Sequence, residues 1–239
     1  MKGNLLLIAF FAVLGPACST DAAMDFERME PERNRQSTAT IRYLALGDSY
    51  TAGTGIDTLQ SFPRQLQRAL AQELNRGVSV QVVATAGWRT DNLIDALEEE
   101  TLEDSYDLVT LLIGVNNQFQ NRPFSQYEDE FPRLLNRALD LAGNDPDRVT
   151  VLSIPDYSYT PFGQDLGFEN ISQEIDVYNN FAATIAEQNG IPFVDITDIS
   201  RNGLEDTSLV AGDHLHLSEK AYQMFLNRIV PSVISKLKD

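Results

Sequence analysis

Apolar, β-branched stretches recur along this chain at Ile41 to Leu46, Val78 to Ala84, Leu108 to Ile113, Val149 to Ile154 and Pro192 to Ile196. Between them the apolar positions fall at helical spacing, over Pro63 to Leu74, Asn92 to Glu99, Gln126 to Leu141, Ile171 to Asn189 and finally Ser218 to Lys238. Strands that read as nearly continuous apolar runs are those covered on both faces, and their regular alternation with helices predicts a parallel sheet between two helix layers. The expected fold is therefore a three-layer α/β/α sandwich around five mostly parallel strands, occupying residues 39–239. Ser61, with Pro63 in the first turn that follows, and Ser218, before Glu219, read as helix starts. After Leu46, the glycines Gly53 and Gly55 and then Asp57 delay helical patterning until about Ser61.

The segment before Ala39 follows a different pattern. Lys2 precedes an apolar run from Leu5 to Leu14 and then small residues up to Cys18, the layout of a secretory signal. About ten apolar residues are too few to span a bilayer, which takes about 20. Cys18 is the sole cysteine, so no intramolecular disulfide can form. Its setting resembles the lipobox of bacterial lipoproteins, although Gly15 stands where that motif usually has leucine and Leu14 lies one place further back. The expectation is an exported protein, residues 1–18 serving as signal, lipidated at Cys18 and so held at a membrane, periplasmic or at the cell surface. Residues 19–38, polar and charged, would form a flexible tether.

Charge narrows the partners. The chain carries 35 acidic and 18 basic side chains, a formal net charge of -17. Such a surface repels nucleic acid, which is excluded as the main partner, and repels anionic lipid surfaces unless a covalent anchor intervenes.

In an open α/β sheet, ligands sit outside the carboxyl ends of the strands. The residues following the strands are Gly47-Asp48-Ser49, then Thr85-Ala86-Gly87-Trp88, Gly114-Val115-Asn116-Asn117 and Pro155-Asp156-Tyr157, with Gly212-Asp213-His214-Leu215-His216 before the last helix. The only two histidines of the chain, His214 and His216, both lie in that final segment. A serine hydroxyl becomes a useful nucleophile when a base takes its proton and a carboxylate orients that base. Ser49, a histidine and Asp213 supply the three groups, in an order along the chain known to reach this geometry. An oxyanion also needs donors, each worth about 3 to 4 kcal/mol, and the N–H of Ser49, the turn at Gly87 and the amide of Asn116 are candidates.

Taken together, "GDS" after the first strand, Gly87 after the second, "GVNN" after the third and "DHLH" before the last helix resemble the four blocks of the SGNH hydrolases, also called GDSL esterases and lipases. The resemblance covers Ile41 to the C-terminus. It implies a flavodoxin-like sandwich, no cofactor, and hydrolysis of acyl or acetyl esters, or thioesters, through an acyl-enzyme. It also implies roles: Ser49 as nucleophile, His216 as base with Asp213 as its partner, and Ser49, Gly87 and Asn116 as the oxyanion hole. The family spacing of three residues after the aspartate selects His216 over His214. Two positions depart from the family pattern. Tyr50 replaces the common leucine, and Asn117 ends the third block where aspartate is usual.

Asp48 reads as an acceptor for turn amides, and Arg89 as a partner of Asp91 or Asp95. Trp88, Tyr157, Tyr159 and Phe162 are candidate walls of a pocket for a small-molecule, glycan or lipid ester. The long aromatic stretch after strand four is read as the loop that shapes it. With no cysteine in the domain and no third histidine, no metal site is expected. Two other classes compete with this reading. An FMN-binding flavodoxin-like module would use "SYTAGT" as its phosphate loop, but that stretch carries an extra residue, lacks an immediate helix and leaves "DHLH" without a role. A noncatalytic glycan or ester binder on the same fold has no use for an intact Ser49, Asp213 and His216. The G-x-S-x-G elbow of α/β-hydrolases is absent, because Thr51 stands at its second glycine.

Overall fold

A computed structural model describes residues 39–238. The signal-like segment, Cys18 and the tether lie outside the described residues.

Five strands form one sheet: β1 (Ile41–Gly47), β2 (Val78–Ala84), β3 (Leu108–Leu112), β4 (Val149–Leu152) and β5 (Phe193–Val194). Their order is β2-β1-β3-β4-β5 and every pairing is parallel. The central strands are apolar on both faces because helices cover both; Leu44, Leu46, Val109, Leu111 and Val151 are all fully buried. One polar pair crosses this core, where the hydroxyls of Tyr43 and Thr110 meet at 2.8 Å and satisfy each other.

Among the described residues nine helices accompany the strands, seven between them and two after β5: α1 (Ser49–Ala52), α2 (Phe62–Leu74), α3 (Thr90–Glu99), α4 (Val115–Phe119), α5 (Phe124–Leu141), α6 (Pro161–Leu166), α7 (Ile171–Gln188), α8 (Thr197–Ser200) and α9 (Glu219–Leu237). Right-handed crossovers decide the layers. The step from β1 to β2 runs one way along the sheet, whereas those from β2 to β3, β4 and β5 run the other, so α2 lies on the face opposite α3, α5 and α7. The last helix, α9, returns to pack on α2, with Phe62 against Tyr222 and Phe225 at ring distances of 6.3 and 6.2 Å. On the other face Tyr127 of α5 stacks on Tyr178 of α7 at 4.6 Å.

The reversal of direction creates a switch point between β1 and β3, the usual place for a ligand in this architecture. Register sharpens it. Gly47, the end of β1, pairs with Ala84 at the end of β2 and Leu112 at the end of β3. Three strand ends are thus level, and the turns they release meet at one edge.

Four local features differ from the sequence expectation. A helical turn, α1, begins immediately at Ser49, where the glycines suggested a delay to Ser61. Asp48 supplies its cap, with Oδ1 accepting from Tyr50 N–H at 3.0 Å, and Gly53 ends it at φ +82°. The short α4 follows β3, with Gly114 at φ +132° as its cap. The stretch after β4 is not bare loop but a 3₁₀ turn (Tyr157–Tyr159) followed by α6, whose cap Thr160 accepts from Gly163 N–H. Finally, Ser218 caps α9 through its side chain as expected, whereas Ser61 occupies the cap position of α2 without a side-chain hydrogen bond.

Candidate active site

Ser49 is the first residue of α1, placed by the tight exit from β1. That exit requires Gly47, because a Cβ there would lie 2.2 Å from Thr51 Oγ1 and 2.4 Å from the Leu112 carbonyl. As a first-turn residue, Ser49 has a backbone N–H with no acceptor inside its own helix. Its neighbour Asp48 is fully buried; burial pushes its carboxyl up to about 7, against the opposing pull of the Tyr50 N–H. Asp48 therefore serves the turn, as the sequence suggested.

The histidine segment reaches Ser49 because α9 is anchored to α2. The Gln65 side chain donates to the carbonyls of Gln60 and Glu219 and so pins the beginnings of the two helices together. Within the preceding loop, Ala211 N–H donates to the His216 carbonyl at 2.7 Å, closing a tight turn over residues 211–216. Asp213 then does three things: Oδ1 accepts the N–H groups of Leu215 and His216, and Oδ2 accepts from His216 Nδ1 at 2.7 Å. Partial burial works to raise the Asp213 carboxyl, but these donors outweigh it and hold it below the ordinary range. A carboxylate can only accept, so Nδ1 carries the proton and Nε2 remains the basic nitrogen of the neutral ring. His214, by contrast, is exposed at φ +65°, and its carbonyl accepts from Phe162 N–H.

The edge of the Tyr50 ring meets the His216 ring at 5.3 Å. Around them a cavity of about 50 Å³ is lined by Ser49, Tyr50, Val115, Asn116, Phe119, Tyr157, Leu215 and His216. The serine, the imidazole and the Asn116 amide thus share one small chamber. Asn116 Nδ2 donates to the Trp88 carbonyl at 3.0 Å, which uses one of its two amide hydrogens and leaves the second for the chamber. Gly87 sits at φ +83° in the turn after β2, a conformation that favours glycine, and a Cβ there would meet nothing within 4 Å.

Of the four aromatic residues expected at the pocket wall, Tyr157 lines the chamber. Its hydroxyl donates to Gln118 Oε1 at 2.8 Å, Gln118 Nε2 donates to Glu174 at 2.7 Å, and burial pushes the Tyr157 phenol up to about 12. Phe162 stands one ring back, against Phe119 at 6.5 Å. Trp88 is half-buried against the core and meets the site through its carbonyl, while Tyr159 lies half-buried in the 3₁₀ turn. Arg89 is bound to Asp91 at 2.7 Å, the pairing anticipated, and to Gln120 at 2.6 Å. The lining residues that sequence reading did not single out, Val115, Phe119 and Leu215, belong to α4 and to the histidine turn. Five residues of helix carry too little periodicity to be recognised.

A buried hydroxyl, a carboxylate-held imidazole and the Asn116 amide around one chamber, at the switch point of a flavodoxin-ordered sheet, are the groups a hydrolytic site of an α/β protein needs. The model of the GDSL-like lipase/acylhydrolase family matches residues 45–224, and this chain belongs to that family and is a hydrolase of ester bonds. The spore germination lipase LipC of Bacillus licheniformis is 28% identical over 95 residues, which are 38% of this chain and 45% of that relative; the chain thus matches less than half of its length. Among solved structures, TesA superposes with a TM-score of 0.64 at 19% identity, over 82% of this chain and 99% of its own. A lipase/acylhydrolase from Enterococcus faecalis gives 0.64 at 18% over 83% and 95%, and the acetylxylan esterase Axe2 from Geobacillus stearothermophilus 0.61 at 19% over 81% and 94%. At these identities the likeness is one of fold.

Proposed function

We propose that the chain is a serine esterase that cleaves carboxylic esters with short acyl groups through an acyl-enzyme on Ser49. His216 Nε2 takes the hydroxyl proton as Ser49 Oγ attacks the ester carbonyl, and Asp213 stabilises the imidazolium that forms. The N–H groups of Ser49 and Gly87 and the Asn116 amide receive the oxyanion. Collapse expels the alcohol, which takes its proton from His216, and water then enters with His216 again as base. The observation that carries this reading is the 2.7 Å bond from His216 Nδ1 to Asp213 in a chamber shared with Ser49. The chamber's size supports the acyl preference: at about 50 Å³ it has room for a few heavy atoms, where drug-sized ligands occupy about 300 Å³ or more. Small-molecule and acetylated glycan esters are the substrates this favours. The test is a series of p-nitrophenyl esters from acetate to octanoate plus an acetylated polysaccharide, with Ser49→Ala as blank. Turnover should fall steeply with acyl length and vanish in the blank; a folded Ser49→Ala protein with undiminished turnover refutes it.

The sequence before Ala39 supports a location as well. The chain is exported and held at a membrane, at the periplasmic or outer cell surface, by acylation of Cys18. Several acyl chains anchor stably where one is marginal. Among the described residues no helix is long and apolar enough to cross a membrane. Labelling with a radioactive fatty acid, with Cys18→Ala as control, tests the acylation; equal incorporation or none in both proteins refutes it.

A further inference from the structure

Three side chains of α4 and its C-terminal cap reach back to the turn after β2. Asn116 Nδ2 donates to the Trp88 carbonyl at 3.0 Å, Gln120 Nε2 to the Gly87 carbonyl at 2.9 Å, and Asn117 Oδ1 accepts from Thr90 N–H at 3.0 Å. Asn116 and Gln120 are partly or largely exposed, whereas Asn117 and Thr90 are both fully buried. The buried pair makes a second bond, from Asn117 Nδ2 to Thr90 Oγ1 at 2.6 Å, and Thr90 Oγ1 donates in turn to Glu130 Oε2 at 2.5 Å. Gln126, one turn earlier on α5, donates to both oxygens of Glu130 and holds it in place.

We propose that Asn117, acting through Thr90 and Glu130, is the positioning residue that keeps the Gly87 turn in register with Asn116 and Ser49, and that, with a carboxylate at position 130, this relay works in only one direction and requires an amide at position 117. The inference rests on the serine-esterase reading of the site.

Donor counting fixes the direction. Thr90 N–H can only donate, so the Asn117 oxygen must face it and the Asn117 NH₂ must face Thr90 Oγ1. The Thr90 hydroxyl has a single hydrogen. Receiving from Asn117, it is free to give that hydrogen to Glu130, and all three groups are satisfied. With a carboxylate at 117, the hydroxyl would face two acceptors with one hydrogen. If the hydrogen went to Glu130, the buried oxygen at 117 would lose its donor; if it went to 117, Glu130 would keep only Gln126, and either way a second negative charge would stand near Glu130, a repulsion that movement of the turn relieves. Thr90 is three residues from Gly87, so the displacement reaches the turn whose N–H is to meet the oxyanion. That donor acts in the transition state, and the loss should fall on kcat.

The relay can be rebuilt backwards. In the double variant Asn117→Asp with Glu130→Gln, the amide introduced on α5 donates to Thr90 Oγ1, and Thr90 gives its own hydrogen to the carboxylate introduced on α4. Both side-chain bonds of Thr90 Oγ1 are restored with the charge moved to the other end, while Gln126 keeps only the one remaining oxygen of residue 130 as its acceptor. On p-nitrophenyl acetate, Asn117→Asp should lower kcat about ten- to a hundred-fold, the scale of a small misplacement of reacting groups, with KM within about two-fold. Its affinity for benzeneboronic acid, which forms a tetrahedral adduct with an active serine, should fall in parallel. Adding Glu130→Gln should restore most of both. An Asn117→Asp protein that fails to fold moves the decision to the double variant, which must be folded and active for the relay to stand. Wild-type kcat in Asn117→Asp, or a double variant no better than the single, overturns it. Ser49→Ala run alongside separates the two ideas. If it is inactive while Asn117→Asp is unaffected, only the relay falls. If it retains turnover, the nucleophile reading falls and the relay falls with it.

Discussion

A Cβ on Gly55 would lie 2.5 Å from Asp213 Oδ2, the same oxygen that accepts from Nδ1 of His216. The glycine stands at φ +87° in the turn that leaves α1. The loop after the serine and the acid before the last helix are therefore fitted to one another at a distance only a glycine permits.

Gly55→Ala should strike activity harder than stability. The left-handed backbone conformation costs about 1–3 kcal/mol for a residue with a side chain. The methyl also pushes the carboxylate off the imidazole, and an imidazole out of place loses the correct tautomer. We expect kcat to fall by at least about ten-fold in a protein that still melts cooperatively, read by steady-state turnover beside a thermal melt.

Asp48 makes stability depend on pH. Burial raises its carboxyl to about 7 in the folded protein, against about 3.9 in an unfolded chain. The folded state then holds the proton more tightly than the unfolded state, so this group's contribution is fully present below about pH 4 and is lost as pH rises through about 7. Lowered carboxyls such as Asp198 and Asp213 act with the opposite sign, gaining stability as pH rises. Asp48→Asn keeps an oxygen for the Tyr50 N–H and removes the titration. Relative to wild type it should gain stability between about pH 5 and about pH 8, by up to roughly 2 to 3 kcal/mol, measured as the difference in urea midpoints at the two pH values.

Tyr157→Phe separates the ring from its hydroxyl. The ring should keep its edge contact with Phe119 at 5.5 Å, while Gln118 Oε1 loses its donor in a position only 7% exposed. A loss of about 1–3 kcal/mol in unfolding free energy is expected, with turnover of acetyl esters nearly unchanged, checked by chemical denaturation and kinetics on the same preparation.

Phe119→Ala should widen the chamber on the side closed by the Phe119, Tyr157 and Phe162 rings. Butyrate and hexanoate esters should gain on acetate by at least about ten-fold in relative kcat/KM, the scale set by a methylene or two in an apolar pocket. The ratio of rates across the ester series measures it.

Much of this protein is decided by local pattern. Apolar runs and helical spacing located all five strands and the five long helices, because the buried face of each element imposes its own period on the sequence. The chain's two histidines confined the base to one segment, and the glycine-flanked Ser49 marked the end of β1. What pattern could not supply were the elements too short to have a period, α1, α4, α6 and α8, and with them Val115 and Phe119 in the chamber wall. Nor could it show that Gly55 makes room for Asp213, that Gln65 ties α2 to α9, or that Asn117 binds Thr90 and through it Glu130. Those are contacts between residues far apart in the chain, and they exist because the level ends of β1, β2 and β3 bring three turns to one edge. The sequence by itself determined which groups could do chemistry, and its spacing pointed to His216. The meeting of the Asp213–His216 pair with Ser49, and the size of the space around that serine, were decided by tertiary structure, because both depend on where the chain returns and not on what precedes or follows each residue.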